Sequence, residues 1–214
     1  MLKPEEIHSA QVVDTFYPVI DGVVQTVHNY ALQMNKTSYS CVLCPAPKGD
    51  YDDRQLPYDV LRSAALRFPF SDYSVAWPVN PSCIHKFKTL ALAKRLNIVH
   101  FHSPFTQRDS AVKAAKDLHL PIVATFHTKY YDDIYQVTKS KLLAKIVTDS
   151  VVHFYNSCDS VWACSESTAE TLLSYGYKGD IFVMPNGTNI HLPDNADALK
   201  ERAVRKFNID LSKN

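Results

Sequence analysis

Short apolar runs alternate along the chain with longer segments whose apolar residues recur at helical spacing. The run Gln11–Phe16 predicts a first strand. In the next segment the apolar residues lie three or four positions apart, which predicts a helix over Gly22–Asn35. Tyr39–Cys44 predicts a second strand, which Pro45 ends. The chain therefore begins with a strand, a helix and a strand.

The same alternation continues to the C-terminal region. Residues 45–80 are rich in Pro and Asp, and within them Val60–Phe68 fits either a strand or a short helix. Ser167 and Glu170 fit a capping box, which predicts that Ser167 caps a helix that Gly176 stops. The other predicted strands are Ile98–Phe101, Ile122–Phe126, Ser160–Ala163 and Ile181–Met184, and the other predicted helices are Ser82–Leu96, Asp109–Leu118, Lys139–Tyr155 and Asn195–Phe207.

Strands that alternate with helices predict an α/β fold, a doubly wound, Rossmann-like parallel sheet covered on both faces. Ligands of such sheets bind at the carboxyl ends of the strands. Tyr17, His102, His127 and Asn186 each follow a predicted strand directly. We therefore expect them to gather along one edge of the sheet and to line a shared cleft.

Composition narrows the functional classes. The chain has 214 residues and a net charge of +1, which suits one large domain, or one domain plus a tail, and favours no nucleic-acid partner. The sequence has no run of 18 apolar residues and begins without an apolar signal core, which predicts a cytoplasmic protein. Cys41 and Cys44 have metal-site spacing, but they lie in an apolar run and predict a core strand.

The loop Tyr17–Val23 leads into the first helix. Gly22 permits close approach to the backbone, and the free N–H groups of a helix start favour an anion such as a phosphate. A plain turn before a helix explains the same residues. The loop lacks the Gly-x-Gly-x-x-Gly pattern, so a nicotinamide fingerprint is absent.

Two histidines flank Phe101 at the end of a predicted strand. We expect His100 and His102 to point to opposite faces, which argues against a shared metal. His100 is then a hydrogen-bonded core residue, and His102, followed by Ser103, is better placed for the cleft.

His127 ends the strand IVATF and precedes a polar, aromatic stretch with Lys129 and Tyr130. An imidazole binds anions or moves protons near neutral pH, and tyrosine faces suit sugar rings. A capped strand end with surface tyrosines is the alternative.

Three lysines follow beside apolar residues in the predicted helix Lys139–Tyr155. A basic amphipathic helix binds anionic membranes. A helix with one solvated face explains Lys139, Lys141 and Lys145 equally well. Asn186 and Gly187 fit a tight turn, or the start of a linker.

Several motifs occur together in the order of one known family. They are DTFYPVIDGVVQTV, FHSPF, ATFHT, ACSES and MPNGT, within about residues 11–190. The chain resembles the N-terminal domain of family 4 retaining glycosyltransferases, which have the two-domain GT-B fold. The Asp-Gly-Val opening and FHTKYY look most like the branch that includes diacylglycerol glucosyltransferases.

The resemblance implies that residues 1–190 form the acceptor-binding domain and that residues 191–214 form a connector helix and the start of the interdomain linker. The donor domain would lie outside this chain, so the fragment alone is expected to be inactive. The implied reaction transfers a sugar from a nucleotide-sugar to a lipid or saccharide acceptor, with retention and without a metal or other cofactor. The implied location is cytoplasmic, with possible peripheral contact with the membrane.

The resemblance also assigns site residues. His127 would be the catalytic residue, which stabilises charge or orients hydroxyls and is not a general base. Asp21, Gly22 and Val23 would lie near the donor diphosphate. The acceptor side and the cleft would be lined by Tyr17, His102, Ser103, Lys129, Tyr130, Ser165, Asn186 and Gly187.

One residue departs from the family pattern, and three alternative functions stay open. The family's Gly-Gly is Asp21-Gly22 here, which is tolerable only if the carboxylate points away from a diphosphate. The alternative functions are a non-catalytic nucleotide or sugar-phosphate binding module and the acceptor subunit of a two-chain transferase. A nucleotide-sugar epimerase shares the architecture, but the Phe-His-Thr motif fits it less well.

Overall fold

A computed structural model describes residues 2–67, 74–77, 79–127, 129–187 and 195–209. The strands are β1 (His8–Val12), β2 (Tyr39–Pro45), β3 (Val60–Ser63), β4 (Ala65–Arg67), β5 (Ser74–Ala76), β6 (Ile98–Phe101), β7 (Ile122–Phe126), β8 (Ser160–Ala163) and β9 (Phe182–Val183). The helices are α1 (Gly22–Met34), α2 (Pro81–Ala93), α3 (Thr106–Asp117), α4 (Tyr130–Thr138), α5 (Lys141–Tyr155), α6 (Glu166–Ser174) and α7 (Ala196–Phe207).

In the described part of the chain, seven strands form one parallel sheet in the order β3-β2-β1-β6-β7-β8-β9. The fold is therefore the expected Rossmann-like α/β fold. The order of the strands reverses its direction between β1 and β6. Doubly wound sheets bind ligands at such a point. β4 and β5 form a separate antiparallel pair.

The two faces of the sheet differ in chemistry. One face, here called the opposite face, presents Val12, Leu43, Phe101 and Phe126, which lie buried in the main apolar core. Burial of each such side chain contributes about 1.5–3 kcal/mol. The other face, here called the α1 face, packs against α1 and carries buried polar residues among apolar ones, namely Ser9, Gln11, Ser40, His100 and Thr125.

Several predicted boundaries are wrong. The first strand is His8–Val12, because Ser9 and Gln11 lie buried on the α1 face and disguise the apolar pattern. Val60–Phe68 divides into β3 and β4, and Phe68 lies outside the described residues. Cys41 and Cys44 lie in the buried core of β2, where burial raises the pKa of both thiols to about 12, so their assignment to a core strand is confirmed.

The region after β7 was also predicted incorrectly. Residues 130–138, expected as a loop, form α4, and the predicted helix Lys139–Tyr155 begins only at Lys141. Lys139 adopts a left-handed backbone conformation (φ 53°), and Ser140 caps α5 by accepting from the Leu143 N–H. Ser165, not Ser167, caps α6, because its hydroxyl accepts from the Thr168 N–H.

Candidate functional site

The carboxyl ends of β1, β6 and β7 lie side by side and carry three loops to one edge of the sheet. Val12 pairs with Phe101, and Phe101 pairs with Ala124, so the three strands end at similar heights. His102 follows β6 and His127 follows β7. The loop after β1 reaches them through Asp21, whose carboxylate acts electrostatically on His127.

His127 stands at the end of a buried hydrogen-bonded chain. Its Nε2 lies 3.0 Å from His102 Nδ1. His102 Nε2 lies 2.8 Å from Gln11 Oε1. The two imidazole rings are nearly parallel, with centroids 5.3 Å apart. Gln11 and His102 are each 1% exposed, whereas His127 is partly exposed, so the chain runs from the interior to the edge of the site.

Burial keeps these imidazoles neutral. It lowers the pKa of His127 to about 4, and the Asp21 carboxylate opposes that shift. Burial, together with His100 and His127, holds the pKa of His102 well below its usual value. Burial also lowers the pKa of His100 to about 3, with a contribution from His127. A neutral imidazole has one ring nitrogen that donates and one that accepts.

The expectation that His100 and His102 point to opposite faces is wrong. Residues two positions apart in a strand share a face. Their ring centroids are 4.1 Å apart, and the ring of Tyr30 in α1 contacts both. His100 Nε2 lies 2.7 Å from Thr125 Oγ1, so its prediction as a hydrogen-bonded core histidine is confirmed. Among the described residues, no three His, Cys, Asp or Glu side chains are arranged to hold a metal ion.

Asp21 points its carboxylate at the start of α1. Its Oδ1 accepts from the Val24 N–H at 2.8 Å, which is an N-cap interaction. The N–H groups of Gly22 and Val23 donate to no described residue, and the space where a Cβ of Gly22 would stand is open within 4 Å. The loop thus offers two free donors beside one capping negative charge.

A cavity of about 590 Å³ adjoins this edge, between the loops that follow β1 and β2. Its lining includes the apolar residues Phe16, Pro18 and Ile20 as well as Asp14 and Lys48. Ile20 is 70% exposed. The cavity therefore combines an apolar surface with charged groups.

Asp14 connects the loop after β1 to the start of α3. Its carboxylate accepts from the N–H groups of Phe105 (3.0 Å) and Gln107 (2.7 Å) and from the Thr106 hydroxyl (3.1 Å). The Asp14 N–H donates to Ser103 Oγ at 3.0 Å, so Ser103 braces this junction. Burial raises the pKa of Asp14, and these hydrogen bonds oppose the shift.

Two tyrosines predicted for the cleft have structural contacts of their own. Tyr17 stacks on Tyr51 with ring centroids 5.8 Å apart, and its hydroxyl accepts from Gln25. Tyr130 is 5% exposed and packs edge-on against Phe105 and Phe126 in the main core. The structure therefore does not bring Tyr130 to the solvent-facing surface of the site.

The remaining predicted residues lie at loop and helix ends. Lys129 is exposed at the start of α4, and Ser165 caps α6. Asn186 and Gly187 are exposed, and Gly187 lines a second cavity against α1, beside Tyr30 and Met34. Residues 128 and 188–194, which include parts of two predicted motifs and of the predicted connector, lie outside the described residues.

Sequence reasoning missed Gln11 and Asp14 in the site, and it missed Thr125, which pairs with His100 outside the Gln11–His102–His127 chain. A signal was present, because polar residues recur two positions apart in three strands and directly after them: Ser9 and Gln11, His100 and His102, and Thr125 and His127. Period-two spacing places each pair on one face of a sheet. Parallel pairing then brings the three pairs together on the α1 face.

Similar proteins share this region of sequence. The alpha-monoglucosyldiacylglycerol synthase of Streptococcus pneumoniae (strain ATCC BAA-255 / R6) is 23% identical over 179 residues, which cover 83% of this chain and 40% of that protein. The GDP-mannose-dependent alpha-mannosyltransferase of Corynebacterium glutamicum is 23% identical over 189 residues, which cover 84% of this chain and 43% of that protein. The chain thus spans less than half the length of each.

Solved structures share the fold. A glycosyltransferase from Rickettsia africae ESF-5 superposes with a TM-score of 0.53 at 16% identity, covering 95% of this chain and 50% of that one. The sucrose-phosphate synthase of Thermosynechococcus elongatus gives a TM-score of 0.54 at 10% identity, covering 95% and 53%. The family model described as Glycosyltransferase Family 4 matches residues 20–192, which is most of the chain. The chain belongs to Glycosyltransferase Family 4.

Proposed function

We propose that this chain is the acceptor-binding part of a glycosyltransferase that moves a sugar from a nucleotide-sugar to a lipid or saccharide acceptor with retention of configuration. The observation that carries this proposal is the meeting of three loops at the carboxyl edge of β1, β6 and β7. There the partly exposed His127 lies within the field of Asp21. Parallel α/β sheets bind ligands at this place.

The cavity beside this edge suits an acceptor that has both apolar and polar parts. Phe16, Pro18 and Ile20 supply the apolar surface, and Lys48 supplies a charged group in the same lining. A lipid that carries a polar head, such as a diacylglycerol, has this combination. The relative from S. pneumoniae is named for a glucosyldiacylglycerol product, which supports the same acceptor class.

The start of α1 is proposed to face the donor diphosphate. The Gly22 and Val23 N–H groups have no acceptor among the described residues, and the open space at Gly22 permits close approach. Asp21 caps the same helix start with one carboxylate oxygen, so its negative charge is not directed away from this place and opposes the binding of an anion. Ser165, which caps α6, and the exposed Asn186 are proposed to line the cleft.

His127 is proposed as the catalytic residue. Its pKa of about 4 leaves it neutral near pH 7 and makes it a weak base. It is therefore proposed to act by hydrogen bonding to sugar or acceptor hydroxyls.

The first experiment measures acceptor-dependent release of nucleoside diphosphate by the native polypeptide that contains this chain. UDP- and GDP-sugars are supplied with diacylglycerol or with a saccharide acceptor. Release that requires both donor and acceptor supports the transferase. Binding of the nucleotide-sugar without release would favour the non-catalytic module and contradict the proposal.

The α4–α5 hairpin is proposed to contact an anionic membrane. Val137, Leu142 and Ile146 are 85%, 69% and 55% exposed, beside the exposed residues Lys139 and Lys141. Exposed apolar residues among lysines are typical of interfacial helices. Lys145 contributes less, because it pairs with Asp149 at 2.7 Å. No described helix is long and apolar enough to cross a membrane.

Vesicle co-sedimentation tests this surface. The chain should bind vesicles with anionic lipid more strongly than neutral ones, and Lys139→Gln with Lys141→Gln should weaken binding about thirtyfold, at about 1 kcal/mol for each lysine near the surface. Lys113→Gln with Lys116→Gln, on α3, is the matched control and should bind like the wild type. Equal binding to both vesicle types, or to neither, would contradict the membrane contact.

A further inference from the structure

The hydrogen-bonded chain that ends at His127 begins deep in the interior of the α1 face. The Gln11 side-chain amide donates from Nε2 to Ser9 Oγ at 2.9 Å and to Ser40 Oγ at 3.2 Å. The Met34 sulfur lies 3.6 Å from the same nitrogen. The other end of the amide, Oε1, meets His102. One buried amide thus connects two serines to the histidine pair.

The surroundings of Gln11 decide which way its amide points. The Met34 sulfur only accepts hydrogen bonds, so the nitrogen of the amide belongs on that side and the oxygen belongs toward His102. Ser9 Oγ also has Met34 as an acceptor at 3.3 Å, and the two serine hydroxyls lie 2.8 Å apart, so their protons have acceptors other than Gln11.

The direction of every later hydrogen bond follows. Because Gln11 Oε1 accepts, His102 donates from Nε2. His102 is neutral, so its Nδ1 carries a lone pair and accepts from His127 Nε2. His127 is also neutral, which leaves Nδ1 as its acceptor nitrogen. Within the described residues, Nδ1 of His127 has no hydrogen-bond partner.

We propose that Gln11 and His102 are positioning residues that hold His127 in the Nε2–H form, so that its Nδ1 accepts a hydrogen bond from a hydroxyl of the bound sugar or acceptor. The identity of the hydroxyl as part of a sugar or acceptor rests on the proposed function. The tautomer of His127 follows from the hydrogen bonds alone. The tautomer decides whether His127 orients a hydroxyl group or stabilises negative charge. An accepting nitrogen orients a hydroxyl group, but it cannot donate to a developing negative charge.

The groups that face the pair are consistent with this role. Tyr30 of α1 covers His102, and His100 lies beside it on β6. Asp21 is the charged group that acts on His127 among the described residues, and it favours the protonated form. Burial outweighs that effect, so the neutral pair persists.

Nitrogen-15 NMR of the histidine side chains of this chain tests the tautomer directly. Long-range proton–nitrogen correlations distinguish a protonated ring nitrogen from a bare one. At pH 7 we expect His102 and His127 to have a protonated Nε2 and a bare Nδ1. A protonated Nδ1 on His127 would mean that the hydrogen bonds run in the reverse direction, and it would overturn the proposal.

Two variants sharpen the test. Gln11→Met has a similar length but lacks the accepting oxygen, so His127 should become a mixture of tautomers, seen as convergence of its two nitrogen shifts. Thr125→Val is the matched control on the same face, because it removes the partner of His100 and leaves the Gln11–His102–His127 atoms in place. Unchanged shifts in Gln11→Met, or the same change in both variants, would contradict the proposal. If Gln11→Met does not fold, the tautomers of His102 and His127 measured in the wild type still test the proposal.

Kinetics of the native polypeptide separate this inference from the proposed function. Gln11→Met should lower kcat about tenfold or more while KM stays within about twofold, since a tautomer error removes catalysis and not binding. Thr125→Val should keep kcat within about twofold. A polypeptide without any transfer activity would contradict the proposed function, and the NMR result would still stand or fall by itself.

Discussion

The two faces of the sheet are built from the same strands but serve different purposes. On the opposite face, Val12, Phe101 and Phe126 meet the main core and are at most 1% exposed. On the α1 face, Gln11, His100 and Thr125 are buried equally well, at no more than 4% exposed, and are hydrogen-bonded. Apolar contact holds the first face together, whereas directional hydrogen bonds organise the second.

This difference explains why the site forms where it does. A parallel sheet that is buried on both faces normally carries apolar residues on both. Buried polar groups are tolerated when each has a hydrogen-bond partner, and here the partners come from four neighbouring strands, β2, β1, β6 and β7. The resulting network ends at the carboxyl edge, beside the loop that carries Asp21. The α1 face thereby orients the site, and the opposite face stabilises the strands that carry it.

The largest expected effect is on the opposite face. Phe101→Ala should lower the free energy of unfolding by about 3–5 kcal/mol, because it leaves a cavity against Phe154 in the main core. Ser40→Ala, on the α1 face, removes one hydroxyl and should cost only about 1 kcal/mol. Urea denaturation of both variants measures the contrast. Equal losses would show that the two faces do not differ in this way.

The next effect concerns pH and isolates the α1 face. The unfolded chain takes up histidine protons near pH 6.5, whereas the folded His127 does so only near pH 4. The unfolded state therefore binds more protons between these values, and the free energy of unfolding falls as the pH drops from 7 to 5, by about 2 kcal/mol for His127 alone. His100 and His102 act in the same direction. Asp14, whose pKa is raised, acts in the opposite direction at lower pH.

Denaturation at pH 7 and pH 5 measures this loss. His127→Gln should remove a share of the pH dependence, because glutamine does not titrate. His85→Gln, at an exposed position of α2, is the matched control and should keep the wild-type dependence. An equal free energy of unfolding at the two pH values would show that the buried histidines do not have lowered pKa values in the folded protein.

The smallest effect concerns the loop between the site and α1. Asp21→Asn keeps the N-cap and removes the charge, so the KM of the native polypeptide for its nucleotide-sugar should fall by up to about fivefold. Asp21→Ala also removes the charge but loses the cap, and it should lower the free energy of unfolding by about 1 kcal/mol. An unchanged KM in Asp21→Asn would contradict the proposal that this loop lies near the donor diphosphate.

Sequence-based prediction was most accurate for strands whose apolar side chains form the opposite face. Ile98–Phe101, Ile122–Phe126 and Ser160–Ala163 were located correctly because their apolar runs are local signals. β1 was placed three residues late, since Ser9 and Gln11 interrupt its apolar pattern. α4 was missed because the polar and aromatic residues after His127 were interpreted as a binding loop, although Tyr131, Ile134 and Tyr135 recur at helical spacing.

The candidate site was only partly predictable. His102, His127 and Asp21 were found because each follows or precedes a recognisable element. Their network was not found, because Gln11 and His102 are 91 residues apart and only the sheet brings them together. The faces of His100 and His102 were within reach of the period-two rule, and that prediction was wrong.

The proposed role of His127 as the catalytic residue of a glycosyltransferase is decided by one comparison of rates. Initial rates of sugar transfer are measured for the native polypeptide, for His127→Ala and for the exposed control His85→Ala, with the fold of each checked by denaturation. We expect His127→Ala to lower kcat about a hundredfold or more, at a stability near that of the wild type, and His85→Ala to transfer sugar at the wild-type rate. Wild-type turnover in a folded His127→Ala enzyme would contradict it.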